Sequence, residues 1–94
     1  MFRIALRPRA AEQIRRLRRA DAVAILDAME THLRYEPERV SRSRIKRLRG
    51  GQDATYRLRV GEYRVFYDVT EEQVIVTAVL HKQETVSFYR EDQP

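Results

Sequence analysis

The chain contains no cysteine, which excludes disulfide staples and zinc–thiolate centres and permits a reducing compartment. No apolar run reaches the ~18 residues that a membrane-crossing helix requires. The opening MFRIALRPRA lacks the apolar core of a signal peptide, so a cytoplasmic protein without a membrane partner is expected. Glycine and proline number three each, and no linker-like or low-complexity stretch interrupts the chain. There is no Gly-rich phosphate loop and no nucleophile elbow. The two histidines stand far apart and the carboxylates show no ligand-like spacing. The chemistry predicted is therefore free of metal and cofactor.

What remains is a chain of 94 residues, 43% hydrophobic and 35% charged, which predicts one domain over 1–94 with a single modest core. The net charge of +5 is unevenly spread. Residues 1–39 carry nine basic and six acidic groups, net +3; residues 40–64 carry eight and two, net +6; residues 65–94 carry two and six, net −4. The basic middle points to phosphate or to an acidic partner. An Arg-rich solvated surface would have the same composition.

FRIAL alternates Phe2, Ile4 and Leu6 against Arg3, Ala5 and Arg7, the period of a strand with one buried face. Pro8 ends it and suits the first turn of a helix running to about Arg19, with Ala11, Ile14 and Leu17 as a narrow apolar stripe. Asp21 reads as the N-cap of a second helix carrying Ala22, Ile25, Leu26, Met29 and Leu33 on one face until Pro37. Val40–Arg49 reads as a basic segment without regular structure, and RGGQD as a turn. Strands are predicted at 54–60, 63–69 and 74–80, the last apolar at nearly every position and hence central and covered on both faces. TVSFYRED can form a short terminal helix or a tail. The order predicts an α+β fold, a small antiparallel-rich sheet with two N-terminal helices packed on one face and the other face open.

The stretch YRLRVGEYRVFYDV decides the functional reading. Gly61 and Glu62 between two strand patterns predict a two-residue type II′ turn, which sets Arg59 opposite Arg64, Arg57 opposite Phe66 and Tyr56 opposite Tyr67. Alternation then puts Tyr56, Leu58, Val60, Tyr63, Val65 and Tyr67 in the core, with Arg57, Arg59, Arg64, Phe66 and Asp68 on the other face. A like-charge pair across strands costs up to ~1 kcal/mol unless an anion lies between, so the cluster suits a phosphate gripped by forked guanidinium bonds. On this reading Phe66 stacks a base of single-stranded nucleic acid, with the basic side chains of Lys46, Arg47 and Arg49 beside it. Alternatively Asp68 and the acidic C-terminal segment neutralise the arginines.

RNA cleavage requires activation of a 2′-hydroxyl, stabilisation of charge on phosphorus and a proton for the leaving oxygen. Arginines supply the second. Proton-transfer candidates are His81, Lys82 and Tyr89, whereas His32 reads as a packing residue of the second helix.

LRG at 48–50, the YRLRxGxYRxxY hairpin, VIVTAVLHK and the closing Phe88 and Tyr89 together resemble the RelE/ParE superfamily of bacterial type II toxins over essentially the whole chain. The resemblance implies a sheet carrying two helices on one face and, for RelE-like members, metal-free cleavage of messenger RNA on the ribosome. It implies that Arg57 and Arg59 occupy basic strand positions, that Arg64 contacts phosphate and that Tyr89 is the tail tyrosine. A further family arginine falls on Gln83, which donates a hydrogen bond but carries no charge, leaving His81 or Lys82 to substitute. The resemblance also implies a cognate antitoxin as partner. The departure at Gln83 keeps two other outcomes open: a ParE-like inhibitor of DNA gyrase without nuclease activity, or a weakened toxin kept as an antitoxin-binding partner.

Overall fold

Pro8 separates the first two elements, because its fixed φ and missing N–H suit the first position of a helix but not a continuing strand. The computed structural model describes residues 1–49 and 54–85, and in it Arg3–Leu6 (β1) is followed by Pro8–Arg15 (α1) with Pro8 in the first turn. α1 is shorter than predicted. The chain leaves helical geometry at Arg18 (φ −61°, ψ 151°), and Arg19–Leu33 (α2) starts there without a side-chain cap. Asp21, expected as the cap, lies in the first turn instead and accepts a hydrogen bond from Tyr63 Oη at 3.3 Å. Ile25, Met29 and Leu33 form the buried stripe of α2, while Leu26 is 41% exposed.

Three antiparallel strands follow at Tyr56–Val60, Tyr63–Val69 and Gln73–His81, close to the predicted ranges. A further strand, Ile45–Arg47, precedes them and was not expected. Three residues, two of them charged, offer too short a pattern for a period of two to be seen. In chain order these are β2 (Ile45–Arg47), β3 (Tyr56–Val60), β4 (Tyr63–Val69) and β5 (Gln73–His81), closed by a 3₁₀ turn at Lys82–Glu84. The sheet order is β1-β5-β4-β3-β2, with β1 parallel to β5 and the other pairings antiparallel.

Both helices cover one face. Ala10 and Ile14 of α1 and the α2 stripe pack on Tyr56, Leu58, Val65, Tyr67, Val74, Val76 and Val79. Tyr67, fully buried, donates its hydroxyl to Pro37 O at 2.6 Å and so pins the chain leaving α2 to the centre of the sheet. Burial pushes the Tyr67 phenol well above its ordinary range. Where β1 ends, the unpaired backbone N–H of Val79 is satisfied by Gln13 Oε1 at 2.7 Å, so α1 completes the hydrogen bonding of β5.

The opposite face is not open throughout. Ala54, Phe66, Ala78 and Leu80 are buried together there, with Leu48 packed against them. A bulge makes this possible: Phe66 pairs with Ala78 but Tyr67 with Val76, so Thr77 is the extra residue and its hydroxyl donates to Phe66 O at 3.2 Å. Val74 and Val76 face the helices before the bulge and Val79 after it, which turns Ala78 and Leu80 to the far side.

The β3–β4 turn has Gly61 at φ +57° and no positive φ at Glu62, the type II′ pattern expected. A Cβ at Gly61 would meet nothing within 4 Å, so substitution acts through the backbone alone. Gly61→Ala should cost about 1–2 kcal/mol of unfolding free energy in denaturant titration, set by the left-handed φ. Tyr67→Phe strands the Pro37 carbonyl in the core and should cost about 1–3 kcal/mol. The folded-state pKa of Tyr67 lies above the unfolded value of about 10, so its contribution is complete below that pH and fades as pH rises past it. Stability measured across the alkaline range should fall less steeply in Tyr67→Phe than in the wild type.

Candidate nucleic-acid interface

The turn at Gly61–Glu62 fixes five cross-strand pairs, Tyr56 with Tyr67, Arg57 with Phe66, Leu58 with Val65, Arg59 with Arg64 and Val60 with Tyr63. Each is the pair the turn chemistry predicted. Leu58, Val65 and Tyr67 lie in the helix-side core, so Arg57, Arg59 and Arg64 belong to the opposite face. β2 widens that face, because its register sets Lys46 beside Arg57 and Ile45 beside core Leu58. Four basic residues from three strands thus share one surface.

Their surroundings differ. Arg59 is exposed and Arg57 half-buried, and neither forms an ion pair among the described residues. Arg64 turns back on the hairpin, its Nη1 donating to Gly61 O at 3.0 Å and to Tyr63 O at 2.9 Å. This fixes one guanidinium over the turn, and the like-charged Arg59 and Arg64 are not left pointing freely at each other. Asp68, a candidate for neutralising Arg57, accepts a hydrogen bond from Thr55 Oγ1 at 2.7 Å.

Phe66 departs from expectation. Its ring is fully buried in the Ala54–Ala78–Leu80 cluster and has no free face for a base to stack upon. Ala78 and Leu80 of β5, with Ala54 and Leu48 from the segment between β2 and β3, pack against it, which the β4 pattern alone does not reveal.

His81 also falls elsewhere. It pairs with Tyr63 across β4 and β5, and the two rings meet edge to face at 5.4 Å, which places the imidazole with the helix-side residues. Its Nδ1 accepts the Gln83 N–H at 3.1 Å while its own N–H donates to Glu84 Oε1 at 2.7 Å, so it caps the 3₁₀ turn. This candidate proton carrier is therefore on the opposite side of the sheet from the arginines, a matter of strand parity. Lys82 binds the hairpin turn, with Nζ 2.9 Å from Glu62 Oε1 and its N–H donating to Glu62 O at 2.7 Å. That ammonium holds the Glu62 carboxyl below the usual carboxylate range. Gln83 is exposed in the same 3₁₀ turn.

Of the remaining predicted residues, Arg47 lies over the Tyr56 ring at 5.9 Å on the helix side, and Arg49 is exposed in a turn. Tyr89 and Phe88 lie outside the described residues. Sequence reading passed over Arg44, whose carbonyl accepts the Arg59 N–H at 2.8 Å at the β2 edge. The serines before it at 41 and 43 disguised the approach to a strand. Among the described residues no group of three or more His, Asp or Glu side chains could hold a metal, and no helix is long and apolar enough to cross a membrane. Lys46, Arg57 and Arg59 give this surface the charge and hydrogen-bond donors that suit an anion, and neither arginine forms an ion pair among the described residues.

The fold has close counterparts. A chain of the archaeal RelE–RelB complex from Pyrococcus horikoshii OT3 superposes with a TM-score of 0.70 at 24% identity, over 86% of this chain and 94% of that one. A chain of the RelB–RelE antitoxin–toxin complex from Methanococcus jannaschii superposes with a TM-score of 0.68 at 19% identity, over 90% and 98%. No curated protein matches in sequence. The model of the family described as the ParE toxin of the type II toxin-antitoxin system, parDE, matches residues 4–86, nearly the whole of the two helices and five strands, and the chain belongs to that family of toxins.

Proposed function

We propose that this toxin acts on messenger RNA at the ribosome as a metal-free endoribonuclease, gripping the scissile region with the helix-free face of its sheet. The observation that carries the reading is the register that brings Lys46, Arg57, Arg59 and Arg64 onto one surface. Guanidinium groups stabilise charge on phosphorus in the transition state, and Arg64, held by two turn carbonyls, is preorganised for that task. Lys82 and Tyr89 are the remaining candidates for proton delivery to the leaving oxygen, since the His81 imidazole lies on the helix side of the sheet. The partner is a cognate antitoxin, a reading supported by two structural counterparts that are toxin–antitoxin complexes.

A second reading, inhibition of DNA gyrase without cleavage, is favoured by two observations. His81 is a cap residue on the helix side, and Gln83 stands where the resemblance implies an arginine.

Induced expression with mapping of RNA 5′ ends separates the two. The first reading expects growth arrest with messages cut within codons, and Arg59→Ala should reduce cleavage at least about tenfold, the cost of one charge-assisted contact. Arg59 is the cleaner probe because Arg64 also holds the turn. Growth arrest with intact messages and blocked supercoiling by purified gyrase selects the second reading. RNA affinity should also fall steeply with salt, its log–log slope becoming shallower by about one for each phosphate-contacting side chain removed from Lys46, Arg57 and Arg59.

A further inference from the structure

Between the last turn of α2 and the segment entering β2 lies a cleft of about 380 Å³, lined by Thr31, His32, Tyr35, Arg39, Ser41 and Arg44. Each of these side chains has a hydrogen to donate. The one carboxylate in the lining, Glu36, is paired with Arg39 at 3.0 Å. Ser41 Oγ accepts the N–H groups of Arg44 and Ile45 at 3.0 and 3.2 Å, which occupies its lone pairs and leaves its proton for a third partner. Arg44 is exposed and its guanidinium forms no ion pair or hydrogen bond among the described residues. It sits near enough to His32 to help burial hold that imidazole below its ordinary range. The Tyr35 ring is 67% exposed at the rim.

We infer that this cleft is a nucleotide subsite, in which Arg44 and Ser41 hold a phosphate and Tyr35 supports the base. The Arg44 guanidinium and the Ser41 proton, with the one lining carboxylate already paired to Arg39, favour an anion, and a guanidinium beside a hydroxyl matches phosphate oxygens. An exposed aromatic ring at the rim adds the stacking that a nucleotide, but not a bare carboxylate, can use. The cleft volume lies within the range of small-molecule sites. Its place also fits: the Arg59 N–H donates to Arg44 O at 2.8 Å, so the cleft borders the sheet edge next to the arginine face. A single strand crossing that face would reach it, and this part of the inference rests on the RNA reading above. A free mononucleotide presents the same chemistry.

His32 reports occupancy directly, since an anion beside Arg44 offsets the charge that lowers its pKa. Glu36, Arg39, Tyr35 and Arg44 are the charged or titratable groups lining the cleft with it. With the full-length protein, AMP should shift the His32 ring resonances in NMR and raise the His32 pKa. Arg44→Glu and Arg44→Gln should each weaken AMP at least about tenfold. Tyr35→Ala should weaken AMP but leave inorganic phosphate unchanged. A labelled single-stranded oligoribonucleotide distinguishes the sources: loss of its affinity in Arg44→Gln assigns the cleft to RNA, whereas AMP binding without that loss assigns it to a free nucleotide. The inference is overturned if millimolar AMP leaves His32 unshifted, if both Arg44 variants respond like wild type, or if a glutamate-rich peptide binds there as well as AMP. Oligoribonucleotide binding that survives Arg57→Ala/Arg59→Ala would count against the sheet reading alone, because the AMP response does not involve those residues.

Discussion

A two-residue turn leaves a hairpin no freedom of register, and in this toxin that constraint governs both faces of the molecule. Gly61 adopts a left-handed φ that an L side chain resists, and the strands on either side are then locked pair by pair. Slipping by one residue would exchange Leu58, Val65 and Tyr67 for Arg57, Arg64 and Phe66 beneath the helices, at the cost of burying unpaired guanidinium groups. The same locking that builds the core therefore assembles the cationic surface. End contacts reinforce it: Lys82 ties the close of β5 to Glu62, and Arg64 folds onto the turn carbonyls.

The far face of the sheet is a composite of apolar floor and basic rim. The bulge at Thr77 turns Ala78 and Leu80 to the side of Phe66, and these pack with Ala54 and Leu48. The basic side chains at 46, 57 and 59 stand on the same face of the sheet as this floor. Burial in it takes the Phe66 ring out of reach of a stacking base. In the cleft at the β2 edge the exposed aromatic is Tyr35 instead, supplied by the chain leaving α2.

Placement of His81 separates charge from proton transfer. Nine residues of β5 with one bulge bring its imidazole to the helix side, where Tyr63 and the 3₁₀ turn use it structurally. On the RNA reading proposed above, the arginine face supplies electrostatic stabilisation, and proton delivery falls to Lys82 or Tyr89.

Much of this was written locally. The alternation around Gly61–Glu62 determined the hairpin, its register and the sidedness of Arg57, Arg59 and Arg64, because turn type and a period of two are short-range properties. The apolar run at 74–80 likewise marked a strand buried on both faces. Other features depend on partners distant in sequence. β2 is a strand because β3 offers it an edge, Asp21 serves Tyr63 and not a helix cap, and Phe66 is core because a bulge eleven residues on turns Ala78 and Leu80 beneath it. In an all-apolar strand the bulge leaves no trace in hydropathy, so the side taken by His81 was decided by tertiary pairing alone.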